Sequence, residues 1–176
     1  MEIVKALVVY ESLFGNTEKI AREVASGLEY AGAQVTVRPV DEVDPTDLTE
    51  FDVVVAGSPT HAFSMPRPVT RADAVRHGAD PAADTVGLRE WIEHLSPAVG
   101  ARPTFAVFDT RRDVRARHLT GSAARSACRA LRRRHRALAD VPATFYVSGT
   151  CGPLLPGESV RARAWGSRLA GSARTH

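Results

Sequence analysis

Two hydroxyls and an amide stand around a glycine in the run Ser12-Leu13-Phe14-Gly15-Asn16-Thr17. None of these side chains is a strong acid, base or nucleophile; together they can grip an anion. The run follows Ile3–Tyr10, an almost unbroken apolar stretch, and precedes Lys19 to Leu28, where Ile20, Val24 and Leu28 recur at helical spacing. That pattern predicts a strand covered on both faces that passes, within a short loop, into an amphipathic helix. The N-terminus of such a helix leaves backbone N–H groups unpaired and a partial positive charge exposed, which suits a phosphate. The competing reading is that Ser12, Asn16 and Thr17 only cap the helix.

Other chemistries find little support. The loop lacks the three glycines of a dinucleotide fingerprint and the Gly-Lys-Ser/Thr of a Walker loop. No serine, histidine and acid arrangement and no paired carboxylates point to hydrolysis. Cys128 and Cys151 are far apart and form no C-x-x-C, so neither zinc nor a dithiol centre is suggested, and buried free thiols are expected.

The rest of the chain must position the loop, and it alternates strand with helix. Gln34 to Val40 reads as a strand near a sheet edge, Asp44 to Leu48 as a short capped helix with Pro45 first, and Phe51 to Gly57 as a third strand. Leu88, Trp91, Ile92 and Leu95 mark a helix at i, i+3, i+4, i+7. Thr104 to Phe108 reads as strand four, Gly121 to Ala139 as a long helix and Ala143 to Ser148 as strand five. A last helix is expected from Gly157-Glu158, with Val160, Ala164 and Leu169 inward and Trp165 close by. Five strands alternating with helices predict an α/β fold: an open, three-layer, doubly wound parallel sheet. Ser58 to Pro68 opens a segment of more than twenty residues before the next helix, long enough to be functional or mobile.

Ser-x-x-Gly-Asn-Thr after a first strand resembles the phosphate loop of the flavodoxin family, which holds the 5′-phosphate of FMN. The resemblance covers nearly the whole chain and is strongest at Tyr10 to Glu18 and Gly57 to Phe63. It implies FMN as cofactor and the strand order 2-1-3-4-5, with ligands at the carboxyl ends of strands one, three and four. It assigns Ser12, Leu13, Phe14, Gly15, Asn16 and Thr17 to the phosphate. Gly57-Ser58-Pro59-Thr60 is similar to the flavin-contacting loop of flavodoxin-type quinone reductases, so Pro59, Thr60, His61, Ala62 and Phe63 are implied at the ring, with His61 or Phe63 as its planar neighbour. Phe108, Asp109, Thr110 and Arg111, after strand four, are implied on its other side. A cation there favours the anionic reduced flavin. Phe14 departs from the family, which usually has a second hydroxyl at that position.

The resemblance leaves three functions open: an FMN-binding electron-transfer protein, an FMN-dependent NAD(P)H:quinone-type oxidoreductase on the same scaffold, or a flavodoxin-shaped module without flavin. The partner is accordingly a redox protein or a small quinone-like acceptor.

A chain of 176 residues suits one core, taken as a single domain over 1–171 with a tail at 172–176. It has no apolar run of membrane-spanning length, and its N-terminus enters a strand directly, so a cytoplasmic protein is expected. The pI is near 9.2. Residues 1–110 hold 9 Lys/Arg against 17 Asp/Glu, a net −8, while 111–176 hold 14 against 3, a net +11. Flavodoxins that shuttle electrons are typically acidic around the flavin, so this is the largest departure. All basic residues but Lys5 and Lys19 are arginine, which a compositional bias also produces. The run Arg125, Arg129, Arg132, Arg133, Arg134 and Arg136 lacks interleaved aromatics, so it reads as a solvated helix face rather than a nucleic-acid site.

Overall fold

β1 (Lys5–Tyr10) is buried at every residue from Ala6 onward, so it must be covered on both faces, and it lies in the interior of the sheet. In the computed structural model, which describes residues 2–83, 85–98, 102–114 and 120–173, its neighbours are β2 (Gln34–Pro39) and β3 (Val53–Pro59). β4 (Thr104–Arg112) and β5 (Ala143–Val147) complete a five-stranded sheet, all pairs parallel, in the order β2-β1-β3-β4-β5. This is the doubly wound order that the resemblance implies. β2 sits at the edge, and its mixed burial reflects one open side.

Side chains alternate across the pleat and build two cores. Ala6, Val8 and Tyr10 face α1 (Asn16–Tyr30) and α5 (Glu158–Ala173), meeting Ile20, Val24, Leu28, Trp165 and Leu169. Leu7 and Val9 face the other way, into a core that includes α3 (Leu88–Glu93) and α4 (Ala123–Arg133) through Trp91, Ile92 and Leu131. α1 and α5 approach to backbone contact at two glycines: a Cβ on Gly27 would fall 2.0 Å from Arg163 O, and one on Gly166 2.2 Å from Val24 O.

Several boundaries differ from the sequence expectation, each for a physical reason. β1 begins at Lys5, leaving Ile3 exposed. Asp44 to Leu48 is not helical, because the Asp44 carboxylate accepts from Thr46 N–H at 2.8 Å and Thr46 Oγ1 at 2.7 Å, a turn that competes with a helix. The long segment after β3 contains α2 (Pro68–Arg76), with Pro68 at its first position, and Ala74 packs with Leu13 and Ala79 in a small separate cluster. α4 stops at Arg133, six residues before the expected end at Ala139. His135 takes φ 56°, and Arg136 N–H reaches back to Leu131 O, a Schellman-type ending with histidine where glycine is usual. Arg136 therefore leaves the helical stripe, and Leu138 comes to lie beside Phe105. On α5 the inward line is Ala162, Trp165, Gly166, Leu169 and Ala170, while Val160 and Ala164 are exposed. Cys128 is buried as expected, but Cys151 is exposed.

Candidate functional site

The turn from β1 into α1 is shaped by Ser12 and Gly15. Ser12 Oγ accepts from Gly15 N–H at 3.2 Å and Glu18 N–H at 3.3 Å, and Gly15 takes φ 88°, a left-handed conformation that glycine adopts without cost. Ser12 thus does the capping. The N–H groups of Asn16 and Thr17 in the helix's first turn, and of Leu13 and Phe14 before it, have no partner among the described residues. Four unpaired donors at a helix N-terminus form an anion cradle.

A cavity of about 240 Å³ opens beside them at the carboxyl ends of the strands. Leu13, Phe14, Asn16 and Thr17 form one wall, and Pro59, Thr60, His61 and Ala62 form the second. Thr110, Arg111 and Arg112 form the third, while Val147, Gly149 and Thr150 close the end. Thr17 Oγ1 and Thr110 Oγ1 lie 2.7 Å apart, so one hydroxyl proton is spent between them and the other is left for a ligand oxygen.

The second wall is a tight turn. His61 and Ser64 exchange backbone hydrogen bonds of 2.9 and 3.0 Å, with Ala62 and Phe63 between them at φ 45° and 62°. Two successive left-handed residues define a I′-type turn, which is strained in non-glycine residues and holds the wall in one shape. Burial pushes the His61 pKa down, with Asp73 opposing, so the ring is neutral at neutral pH. Thr60 has both hydroxyl roles filled: it donates to Asp109 Oδ2 at 2.7 Å and accepts from Ala123 N–H at 2.8 Å.

The predicted site residues therefore divide. Leu13, Phe14, Asn16, Thr17, Pro59, Thr60, His61, Ala62, Thr110 and Arg111 line this crevice. Ser12 and Gly15 instead face a larger cavity of about 660 Å³ on the far side of the loop, with Glu18, Asp41, Glu42 and Asp80. Phe63 is exposed and does not line the crevice. Phe108 is a correction: its ring is buried in the core against Gly57, edge-on to Phe145 and Trp165 at 5.9 and 6.1 Å. Asp109 is another, fully buried where Oδ2 ties Thr60 to Ala124 N–H at the start of α4. Both follow from one cause. β4 continues to Arg112, so Phe108 and Asp109 lie within the sheet, one on each face, and only the residues nearer the strand's carboxyl end, Thr110, Arg111 and Arg112, reach the crevice. Arg111 is largely buried and donates to Thr120 Oγ1 and Gly121 O, both uncharged, so these bonds leave its charge uncancelled.

The sequence model of the Flavodoxin family matches residues 8–72, which contain the loop, β3 and the turn just described. The fold agrees over the whole length: oxidised flavodoxin 1 from Bacillus cereus superposes with a TM-score of 0.67 at 15% identity, covering 95% of this chain and 97% of that one. Over residues 8–72 the chain is similar in sequence to the Flavodoxin family, and its fold is flavodoxin-like. Among curated relatives, an NAD(P)H dehydrogenase (quinone) of Sinorhizobium fredii is 35% identical over 97 residues, 51% of this chain and 45% of that protein. A flavodoxin of Aquifex aeolicus is 40% identical over 58 residues, 32% of this chain and 31% of its own. The matches to these relatives span less than half of their length. No helix among the described residues is long and apolar enough to cross a membrane.

Beside the larger cavity, which Glu11 also lines, lies a buried ionic group that sequence reasoning missed. Glu11, 4% exposed, accepts from Leu88 N–H at 3.0 Å and Ser58 Oγ at 3.4 Å, and its other oxygen is 3.6 Å from Arg71 Nη1. Arg71, equally buried, also meets Glu90 Oε2 at 3.2 Å. One cation thus serves two carboxylates. Burial raises the Glu11 pKa to about 7, with Glu90 adding to it and Leu88 N–H and Arg71 opposing. The only signal in the sequence is a lone acid at the end of an apolar strand; its partners lie 60 and 79 positions away. Arg112, Val147, Gly149 and Thr150 were also missed as lining residues, because only the sheet order brings β5's end beside β4.

Proposed function

We propose that the crevice binds FMN through its phosphate and that the chain transfers electrons by way of the bound flavin. One observation carries the reading: four N–H groups without a partner among the described residues, and a hydroxyl pair with one proton to spare, belong to residues that line one cavity at the switch point of a doubly wound sheet. A phosphomonoester matches that donor set, with several acceptor oxygens, no donor needed and a negative charge at the positive end of α1.

The residues present fit the cofactor. Leu13, Phe14, Asn16 and Thr17 would hold the phosphate through backbone donors, with Thr17 and Thr110 sharing the hydroxyl donor. The Phe14 ring leans on the Leu13, Ala74 and Ala79 cluster, so the hydroxyl absent from this position is made up by the main chain. The cavity's volume takes the phosphate and part of the ribityl chain, and the flat ring belongs at its mouth against the Pro59 to Ala62 wall. When bound, FMN supplies reversible acceptance of one or two electrons. The chain's part is to orient the ring, keep a neutral imidazole beside it and hold the Arg111 charge at the third wall.

A second reading, favoured by relatives named NAD(P)H dehydrogenase (quinone), is an enzyme that reduces a small quinone-like acceptor with a nicotinamide donor. In the first reading the partner is a redox protein. One experiment addresses both: titrate the purified chain with FMN, following quenching of flavin fluorescence, then mix the complex with NAD(P)H in a stopped-flow instrument. A Kd of about 1 μM or tighter is expected. Slow reduction by the nicotinamide supports the carrier, and fast reduction with turnover of a quinone supports the enzyme. No binding at saturating FMN overturns both.

A further inference from the structure

On the opposite side of the His61–Ser64 turn, a groove of about 490 Å³ runs between α3 and α4, lined by Arg89, Arg129, Arg133 and Arg134 with Ser64 and Ser126. Glu93 is the only acid on its walls, and among the described residues none of the four arginines is ion-paired. The groove's floor is built. Ser64 Oγ and Ser126 Oγ lie 3.0 Å apart; Arg89 donates to Ser64 Oγ at 3.0 Å and Met65 O at 2.9 Å; Arg129 donates to Ser126 Oγ at 3.2 Å. Two guanidinium groups from different helices are thereby held across a pair of hydroxyls. Arg134 is fixed by a bond to Leu95 O, and Arg133 is exposed at the rim.

Four cations around one concavity repel each other, and the single carboxylate on the walls, Glu93, forms no ion pair with them among the described residues and offsets only part of that cost. An unpaired, hydrogen-bonded array of planar guanidinium groups matches the oxygens of a phosphate, to which arginine binds in a forked geometry. The concavity is of small-ligand size rather than a flat face for a partner surface.

We propose that the groove between α3 and α4 is a second binding site, for the phosphate group of a small phosphorylated molecule. It is separate from the flavin crevice but shares a structural member with it. Ser64 closes the turn whose His61 and Ala62 wall the crevice, while its hydroxyl forms the floor of the groove. A phosphate seated on Arg89 and Arg129 therefore bears on the residue that fixes the crevice wall.

The test is calorimetric titration of the full chain with pyrophosphate at constant ionic strength, comparing wild type with Arg129→Glu/Arg133→Glu and with Thr17→Val. Both arginines are exposed and contribute nothing to either core, and a melting curve of each variant verifies folding. Wild type is expected to bind with a Kd below about 1 mM, and the double charge reversal to weaken binding by about tenfold or more. Thr17→Val, which alters only the phosphate loop, should leave this binding event in place; that separates the groove from the proposed FMN site, whose failure would appear with FMN alone. Repeating the titration with NADP⁺ and NAD⁺ distinguishes a nucleotide monoester from a pyrophosphate as the group recognised. The absence of saturable pyrophosphate binding, or equal affinity in wild type and the double variant, overturns the proposal.

Discussion

Thr17 on α1 and Thr110 on β4 share a hydrogen bond of 2.7 Å between their hydroxyls, 93 positions apart in sequence. The contact joins the first and third walls of the crevice and leaves one proton for a ligand. Thr17→Val removes that donor while keeping the volume. FMN binding should weaken by about tenfold, the scale of a hydrogen bond to a charged group, and riboflavin binding should change much less. Fluorescence titration with both flavins reads the difference; equal losses would remove the phosphate from this position.

Ser12 should behave differently from Thr17. Its oxygen already accepts from Gly15 and Glu18, so Ser12→Ala is a capping change. It is expected to cost about 1 kcal/mol of stability in denaturant unfolding and to affect FMN and riboflavin alike.

Glu11 predicts an unusual pH dependence. Its folded pKa of about 7 lies above the ordinary value of 4.5. Between these values the folded chain keeps a proton that the unfolded chain has lost, so this group's stabilisation is present in full below pH 4.5 and disappears as pH rises towards 7. The difference amounts to about 3 kcal/mol. Glu11→Gln mimics the protonated form, so the gap in unfolding free energy between variant and wild type should widen from pH 4.5 to 7 and then level off. His61, whose lowered pKa acts in the opposite sense below its ordinary 6.5, contributes equally to both proteins and cancels in the comparison.

Gly166 packs against the backbone of α1, and a methyl group there would overlap Val24 O. Gly166→Ala raises helix propensity, yet it should destabilise the chain by about 1–3 kcal/mol, because two helices must separate to admit it. A lower urea midpoint measures this. A rise would mean that α1 and α5 are not in backbone contact.

Arg111 keeps its charge at the crevice, where its partners among the described residues, Thr120 and Gly121, are neutral. In the FMN complex, Arg111→Gln should lower the potential at which the flavin accepts its last electron by tens of millivolts, since a cation favours the anionic reduced form. Spectroelectrochemistry on both complexes checks it; an unchanged potential would place the guanidinium away from the ring.

How much was readable in advance varies by element. β1, β3 and α1 were legible because burial on two faces leaves continuous apolar runs, and a single amphipathic stripe leaves a 3.6-residue period. α2 was not, since its apolar residues are few and only Arg71 and Ala74 are buried along it. The end of α4 was hidden because histidine occupies the left-handed position where a glycine would have announced it. Phe108 and Asp109 are buried instead of facing a ligand because β4 runs four residues past the expected end at Phe108, which moves the strand's carboxyl end, and the residues that line the crevice there, to Thr110, Arg111 and Arg112.

Local pattern in the chain was enough to determine the alternation of strands and helices, the buried first strand and the glycine turn that opens the N-terminus of the first helix. These depend on neighbours within a few residues, where sterics and periodicity act. Only the folded structure decided that Ser12 is spent as a cap, that Thr17 meets Thr110, that Glu11 shares Arg71 with Glu90, and that four arginines ring one groove. Each of those depends on distance through space between residues far apart in sequence, and on what burial does to a charge once water has been excluded.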